Sequence, residues 1–232
     1  MPTGPDPDAT RRTSARLIVL VGPTAVGKGA VSAWVLDHDP RVWMSVSATT
    51  RPARPGEADG EDYIFLDESA FDAMVRGGEL LEWAEVHGRA RYGTPRRPVE
   101  DALVQGHPVL LEIDVQGARQ LRETIPEARF VFLAPPSWDE LVRRLEGRGT
   151  ERQAERDARL ATARVELEAA DEFDVVIVND DVERAGAELV QWIWEGRTGD
   201  ENTRAATARP YAARHRDGKN PEETRERLCP AP

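Results

Sequence analysis

Lysine and cysteine are scarce in this chain of 232 residues. Only Lys28 and Lys219 among its 31 basic residues are lysines, and Cys229 is its single cysteine. One cysteine excludes an internal disulfide, and no apolar run approaches the roughly 18 residues that span a bilayer. Residues 1–16 also lack the apolar segment of a signal peptide. We therefore expect a cytoplasmic enzyme or binding protein with no membrane partner.

Basic residues are outnumbered by acidic ones, and the formal net charge is -11. A strongly acidic chain argues against a nucleic-acid partner, because the phosphate backbone repels it. The positive charge that is present is concentrated, with seven arginines between positions 143 and 164. Acidic residues are interleaved with them, so these arginines indicate a solvated helix face unless another part of the chain calls for anion binding.

Short apolar runs alternate with helical stretches along most of the chain. Hydrophobic residues make up 40% of the sequence, which is enough for one sizeable core. The run LIVLV at 17–21 predicts a buried strand, and further strands are predicted at 109–114, 130–133 and 174–178. Strands that alternate with helices predict an α/β fold, a three-layer sandwich around a mainly parallel sheet.

Two segments, 45–95 and 143–170, interrupt this alternation. The first is rich in Thr, Arg, Gly, Glu and Tyr, and the second is rich in Arg and strongly helical. We expect both to be insertions at the edge of the sheet. The rest of the chain divides into a predicted core of residues 16–44, 96–142 and 171–195, with predicted disordered ends at 1–15 and 196–232.

The stretch GPTAVGKGA, residues 22–30, follows the first strand and opens a helix. Strand, G-x-x-x-x-G-K and helix are together the context of a P-loop, whose backbone N–H groups and lysine bind nucleotide phosphates. P-loops usually place a hydroxyl residue after the lysine to bind Mg²⁺, but Gly29 and Ala30 stand there. We expect the metal to be held mainly by phosphate oxygens and water. The predicted phosphate-binding residues are Gly22, Pro23, Thr24, Ala25, Val26, Gly27, Lys28 and Gly29.

A second anion site is indicated by Arg51 and Arg54, which lie three residues apart in a turn-forming segment. Their forked guanidinium groups suit the oxygens of a phosphate, and Tyr63 and Tyr92 add hydroxyl donors. A nucleoside monophosphate presents such a phosphate together with the edge of a base.

Residues 45–66, SVSATTRPARPGEADGEDYIFL, carry the most specific pattern in the chain. From Thr49 to Leu66 the sequence matches T-T-R-x-x-R-x-x-E-x-x-G-x-x-Y-x-F-L at every fixed position. By this pattern the chain resembles the guanylate kinase family, above all its bacterial members, and the resemblance covers about residues 16–195. Further blocks follow in the family's order: GELLEWAEVHG, RYGTP, LLEIDVQGARQ, FLAPPSWDELVRRLEGRGTE and VIVNDD.

The resemblance implies a role for particular side chains. Glu82 would accept the two adjacent donors of guanine, Ser47 would donate to its O6 atom, and Thr94 would be a further guanine contact. Glu112 and Asp114 would lie near the acceptor nucleotide and the metal, although a strand-end carboxylate also caps a following helix. The implied catalytic residues are Lys28, Arg51, Arg144, Arg148 and Arg159; the implied GMP-binding residues are Ser47, Arg51, Arg54, Tyr63, Glu82, Tyr92, Thr94, Glu112 and Asp114; and Asn179 would contact adenine.

The implied reaction is phosphoryl transfer from ATP to GMP, with Mg²⁺ as cofactor and with residues 143–170 as a lid over ATP. Two alternatives stay open. A non-catalytic guanylate-kinase-like interaction module is favoured by the missing hydroxyls at positions 29 and 30. A P-loop kinase for another phosphorylated small molecule is opposed by Ser47, Glu82 and Tyr92. The sequence does not indicate an oligomeric state.

Overall fold

The computed structural model describes residues 17–86, 90–146 and 153–195. The two chain ends predicted to be disordered, and Arg148 of the predicted lid, lie outside these ranges. The strands are β1 Leu17–Val21, β2 Trp43–Met44, β3 Ala48–Thr49, β4 Ile64–Phe65, β5 Leu80–Val86, β6 Ala90–Pro95, β7 Val109–Glu112, β8 Arg129–Ala134 and β9 Val175–Val178. The α-helices are α1 Lys28–His38, α2 Glu68–Gly77, α3 Arg96–Val104, α4 Val115–Thr124, α5 Trp138–Glu146, α6 Gln153–Glu168 and α7 Val182–Glu195, and a 3₁₀ turn spans Ala169–Glu172.

The central sheet has five parallel strands in the order β2-β7-β1-β8-β9. All five residues of β1, in the middle, are buried. Leu17 and Val19 pack in one hydrophobic cluster, and Ile18 and Leu20 pack in another. A strand that is buried on both faces needs an unbroken apolar run, which LIVLV supplies. The predicted α/β fold around a mainly parallel sheet is confirmed.

Helices cover both faces of this sheet. Val99 of α3 and Leu121 of α4 belong to one hydrophobic cluster, and Val31 of α1 and Leu189 of α7 belong to the other. No helix in the described part of the chain is both long and apolar enough to cross a membrane. Because the strands are parallel, the loops after β1, β7 and β9 leave the sheet at the same edge, where ligands of such folds bind.

A second sheet of four strands, in the order β4-β3-β6-β5, is built entirely from residues within the segment 45–95. β6 runs antiparallel to both of its neighbours, whereas β3 and β4 are parallel. Phe71 of α2 packs against Ala48 and Leu80 in a small hydrophobic cluster beneath this sheet. The pairing register sets Tyr92 opposite Thr49, which brings the Arg51 turn beside β6.

An irregularity in β5 turns an acidic side chain inward. The pairing register with β6 shifts between Leu80 and Trp83, so that Leu81 and Glu82 lie opposite Thr94 alone. An extra residue of this kind, a β-bulge, re-aims the side chains that surround it. Leu81 and Glu82 are therefore both buried although they are consecutive, and Trp83 is turned outward.

Helix α4 joins the two sheets. The side-chain amide of Gln120 donates to the Trp83 carbonyl at 2.7 Å and accepts from the Trp83 N–H at 3.2 Å. The same helix begins after Asp114, whose carboxylate accepts a hydrogen bond from the Gly117 N–H at 2.8 Å. This cap explains why β7 ends at Glu112, two residues before the predicted end. Helix α4 therefore begins just after strand β7 of the central sheet, and its Gln120 side chain holds strand β5 of the second sheet in place.

Candidate active site

One cavity of about 250 Å³ lies where the carboxyl edge of the central sheet, the second sheet and α6 meet. The predicted P-loop borders one side, and the second sheet borders the other. Ten residues that the sequence predicted for the site line this cavity: Thr24, Lys28, Ser47, Arg54, Tyr63, Glu82, Tyr92, Glu112, Asp114 and Arg159.

The carbonyl group of Val26 fixes the orientation of the P-loop. Asn179 Nδ2 donates to this carbonyl at 2.8 Å, and Arg144 Nη1 donates to it at 3.2 Å. In a planar trans peptide the N–H of the next residue, Gly27, points in the opposite direction. The two side chains therefore turn this N–H away from themselves, which leaves it available as a donor for a ligand.

Asn179 and Arg144 also hold each other. Asn179 is buried just after β9, and its backbone carbonyl accepts a hydrogen bond from Arg144 Nη2 at 3.0 Å. Arg144, on α5, is anchored in turn by Glu140, which accepts from its Nε at 2.8 Å. These contacts give both residues a part in supporting the P-loop. The predicted contacts of Asn179 with adenine and of Arg144 with the transferred phosphoryl group stay predictions.

Lys28 is the first residue of α1 and closes the loop. Its ammonium group donates to the carbonyl of Gly22 at 2.7 Å. Gly27, the residue before it, has φ 98, in the left-handed region that favours glycine. A Cβ atom at Gly27 would also come within 2.6 Å of Asn179 Nδ2. The second glycine of the motif is therefore required both by the turn and by the side chain that supports it.

Glu82 is the most buried acidic group in the cavity wall, with 5% of its surface exposed. Thr94 donates its hydroxyl proton to Glu82 Oε1 at 2.6 Å. Oε2 lies against Gly117 of α4, where any Cβ atom would overlap it. Thr94 is fully buried and is absent from the cavity lining, so the contact that the structure gives it is with Glu82. Its predicted contact with guanine stays a prediction.

Burial raises the pKa of Glu82 to about 7. The negative charge of Asp114 raises this pKa further, whereas the hydrogen bond from Thr94 lowers it. A carboxyl group in this environment gains or loses its charge near neutral pH. A ligand with donors directed at both oxygens would favour the ionised form.

The guanidinium group of Arg51 is held by Glu57, a residue for which the sequence indicated no role. The Glu57 carboxylate accepts one hydrogen bond from each Nη group of Arg51, at 2.6 and 2.7 Å, and these hydrogen bonds hold the pKa of Glu57 down to about 2. Arg51 Nε donates to the Tyr92 hydroxyl at 3.2 Å, and its guanidinium lies 4.6 Å from the centre of the Tyr63 ring. Glu57 also accepts from the Arg54 N–H at 2.7 Å. The pair thereby orders the turn that presents Arg54 to the cavity.

Two carboxylates lie at the end of β7. Glu112 Oε2 accepts a hydrogen bond from the buried hydroxyl of Ser32 at 3.2 Å, and Asp114 caps α4. Within the described ranges, no group of three or more His, Cys, Asp or Glu residues is placed to hold a metal ion. Carboxylates such as those of Glu112 and Asp114 are among the groups that bind Mg²⁺ together with phosphate and water ligands.

Helix α6 contributes Arg159 and Glu166 to the cavity. The sequence predicted Arg159 but missed Glu166. The two residues are seven positions apart, about two helical turns, so the spacing alone places them on one face. Burial raises the pKa of Glu166 to about 7, against the attraction of Lys28. Since Arg148 lies outside the described residues, its predicted catalytic role stays a prediction.

A parallel α/β sheet with a P-loop after a central strand, facing a cavity lined by an arginine, two tyrosines and a buried glutamate, is the arrangement of a nucleoside monophosphate kinase. The family profile described as "Guanylate kinase" matches residues 14–196. The chain belongs to the guanylate kinase family.

Individual relatives agree with this assignment. The guanylate kinase of Leifsonia xyli subsp. xyli is 59% identical over 179 residues, covering 77% of this chain and 70% of that protein. The guanylate kinase of Nocardia farcinica is 60% identical over 176 residues, covering 75% of this chain and 91% of that protein. The crystal structure of guanylate kinase from Anaplasma phagocytophilum matches with a TM-score of 0.65 at 34% identity, covering 79% of this chain and 86% of that one.

The burial of Glu82 leads to a prediction about stability. An acid whose pKa is raised to about 7 in the folded protein favours folding below its ordinary pKa of 4.5, and this contribution is lost as pH rises through 7. Glu82→Gln removes the charge, so it should raise the free energy of unfolding at pH 8 by about 1–3 kcal/mol. At pH 4.5 the difference from wild type should nearly vanish.

Urea denaturation at the two pH values measures this effect. Glu85→Gln is the matched control, because Glu85 lies on the same strand but is exposed. An equal change for the two variants at pH 8 would show that burial of the carboxyl group does not limit stability.

Proposed function

We propose that this protein transfers the terminal phosphoryl group of ATP to GMP, and also to dGMP, to give ADP and the guanosine diphosphate. The observation that carries the proposal is one cavity with two different ends. Lys28 and the P-loop border one end, and the buried carboxylate of Glu82 borders the other. The first end suits a triphosphate, and the second suits a base with two adjacent hydrogen-bond donors.

Glu82 selects the base. Guanine presents N1–H and its 2-amino group side by side, and the two oxygens of a carboxylate accept both. Ser47, on the same cavity wall, has a hydroxyl that donates to the O6 atom. Adenine has an acceptor at N1 and would leave the buried carboxylate unpaired, at a cost of about 1–3 kcal/mol or more for a charge. Thr94 keeps the carboxylate in a fixed orientation for this contact.

The acceptor phosphate binds beside the Arg51 turn. Arg54 and the hydroxyl groups of Tyr63 and Tyr92 face the cavity and donate to phosphate oxygens. Arg51 adds positive charge next to them, and its hydrogen bond to Tyr92 orients that hydroxyl. GMP is thus fixed at both its base and its phosphate.

The transfer itself needs no general base. A phosphate oxygen of GMP, already anionic, attacks the terminal phosphorus of ATP, and the bond from that phosphorus to ADP breaks. Lys28 and Arg159 line the cavity between the two nucleotides and neutralise the charge on the group in transfer. Arg144 supports the loop from behind, and Arg148 would add a further charge from the lid. The protein's contribution is positioning and charge neutralisation.

Magnesium fits the donor set of this site. Mg²⁺ keeps several water ligands and is bound in such enzymes by one or two carboxylates together with substrate phosphates. Glu112 and Asp114 would hold it through water, and the hydrogen bond from Ser32 sets the orientation of Glu112. When bound, the ion shields phosphate charge and orients the triphosphate.

A coupled assay for ADP formation, with ATP and GMP as substrates, tests the function and its specificity together. We expect turnover with GMP and dGMP and little with AMP. Glu82→Gln should lower kcat/KM for GMP by about 10- to 150-fold, because guanine donors are left without an anionic acceptor. The KM for ATP should change by less than about twofold, since Glu82 borders the other end of the cavity.

Glu85→Gln, on the same strand, controls for loss of charge and should behave like wild type. Binding of both nucleotides without turnover would instead establish a non-catalytic guanylate-kinase-like interaction module. Preference for a sugar phosphate or another monophosphate over GMP would establish a P-loop kinase for another phosphorylated small molecule.

The missing P-loop hydroxyl makes a second prediction. A Cβ atom at Gly29 would meet no other group within 4 Å, so a serine fits there. Gly29→Ser supplies a direct ligand and should lower the Mg²⁺ concentration that gives half-maximal rate. Gly29→Ala is the matched control without an oxygen. The same Mg²⁺ dependence for both variants would mean that a hydroxyl at this position is dispensable.

A further inference from the structure

Strand β5 lies at the edge of the second sheet, and helix α4 adjoins that edge. Trp83, the residue after Glu82, pairs with Gly93 of β6 on one side, and among the described strands none pairs with it on the other. The Gln120 amide takes the place of such a strand: Nε2 donates to the Trp83 carbonyl at 2.7 Å, and Oε1 accepts from the Trp83 N–H at 3.2 Å. A side-chain amide has the same donor and acceptor as a peptide group, so one side chain satisfies both edge groups of Trp83.

Strand β6 limits the position of the bulge from its other side. A Cβ atom at Gly93 would lie 3.0 Å from the Glu82 carbonyl oxygen and 3.1 Å from Trp83 Cβ. The two strands therefore approach each other as closely as a glycine allows. The backbone that carries Glu82 is held between β6 on one side and the Gln120 side chain on the other.

The two carboxylate oxygens of Glu82 are set by the same two elements. Thr94 of β6 donates to Oε1 at 2.6 Å. Oε2 lies against α4 at Gly117, where a Cβ atom would come within 2.2 Å of it. Gly117 and Gln120 are three residues apart and therefore share one face of the helix. The gap between α4 and β5 sets the position of Oε2, and the hydrogen bonds of Gln120 set that gap.

A carboxylate that meets two adjacent donors needs both of its oxygens in place. Guanine presents N1–H and the 2-amino group, so a shift of the Glu82 carboxylate weakens at least one of two hydrogen bonds. Hypoxanthine keeps N1–H and lacks the 2-amino group, so it uses a single acceptor and tolerates such a shift better. The position of α4 therefore affects the discrimination between these two bases more than it affects the binding of a purine in general.

We propose that Gln120 is a positioning residue for guanine recognition: its paired hydrogen bonds to Trp83 hold both oxygens of Glu82 where the two guanine donors meet them. Gln120 does not line the cavity, so it acts through Glu82 and not on the nucleotide. The inference rests on the proposed function in taking GMP as the phosphoryl acceptor.

The coupled assay with GMP and with inosine monophosphate (IMP), whose base is hypoxanthine, tests this role. Gln120→Met keeps the length and the helix propensity of the side chain, but the thioether donates no hydrogen bond and accepts only weakly. In this variant kcat/KM for GMP should fall by about 5- to 30-fold and that for IMP by about threefold or less. The GMP:IMP ratio should therefore fall by roughly 3- to 10-fold, and the KM for ATP should change by less than about twofold.

Gln116→Met is the matched control, because Gln116 is an exposed glutamine on the same helix, and it should leave the GMP:IMP ratio unchanged. The ratio does not depend on the fraction of folded enzyme, so a general loss of structure lowers both rates equally and does not change it. Gln120→Glu is a second variant, which retains an acceptor for the Trp83 N–H and loses the donor. Its ratio should lie between those of wild type and Gln120→Met.

Hydrogen exchange at the Trp83 amide tests the contact itself, on the full-length protein without nucleotide. Exchange should be faster in Gln120→Met than in wild type or Gln116→Met. Unchanged exchange would overturn the proposal, and so would an equal fall of kcat/KM for GMP and IMP. Wild type that does not distinguish GMP from IMP would contradict the proposed function and with it the role of Gln120, whereas the two preceding results contradict the role of Gln120 alone.

Discussion

The site depends on the burial of one carboxylate at a β-bulge. Glu82 turns inward only because β5 carries an extra residue opposite Thr94, and it fits only because α4 has glycine at position 117. Gln120 of the same helix holds the bulged strand by its backbone. Removing an acid from water is unfavourable, and the raised pKa of Glu82 expresses that cost. The packing of the two sheets on α4 offsets the free-energy cost of burying Glu82.

The P-loop side of the cavity presents hydrogen-bond donors, whereas Glu82 is a hydrogen-bond acceptor. Asn179 and Arg144, from distant parts of the chain, fix one peptide plane of the P-loop before any phosphate binds. Preset donors lose little entropy on binding and need no rearrangement during the reaction. The charges along the lining of the cavity are mixed: Lys28, Arg54 and Arg159 are positive, and Glu82, Glu112, Asp114 and Glu166 are acidic. Such a lining suits two anionic substrates and a hydrated cation better than it suits a single anion.

The fold could be predicted because its signals are local. LIVLV, the P-loop and the alternation of strands with helices each follow from neighbouring residues, and the structure has them where expected. Ten of the predicted site residues also line one cavity, because the carboxyl ends of parallel strands share an edge.

What the sequence did not reveal depends on pairings between distant segments. The bulge at Glu82 is a matter of register with β6, and no propensity of β5 alone indicates it. Thr94 acts on Glu82, since buried polar groups are satisfied by whichever partner lies nearest in space. Glu166 had a detectable signal in its spacing from Arg159, but a second glutamate, Glu168, lies two residues further along the same helix, so spacing alone could not single out Glu166.

Carbon-13 NMR of the Glu82 carboxyl group, assigned by its loss in Glu82→Gln, tests the central claim most directly. At pH 6 the free protein should show Glu82 mainly protonated, because its pKa is about 7. Saturating GMP should move the resonance to the ionised position, since the base donates to both oxygens, and AMP should not. A carboxyl group that stays protonated when GMP is bound would contradict the account.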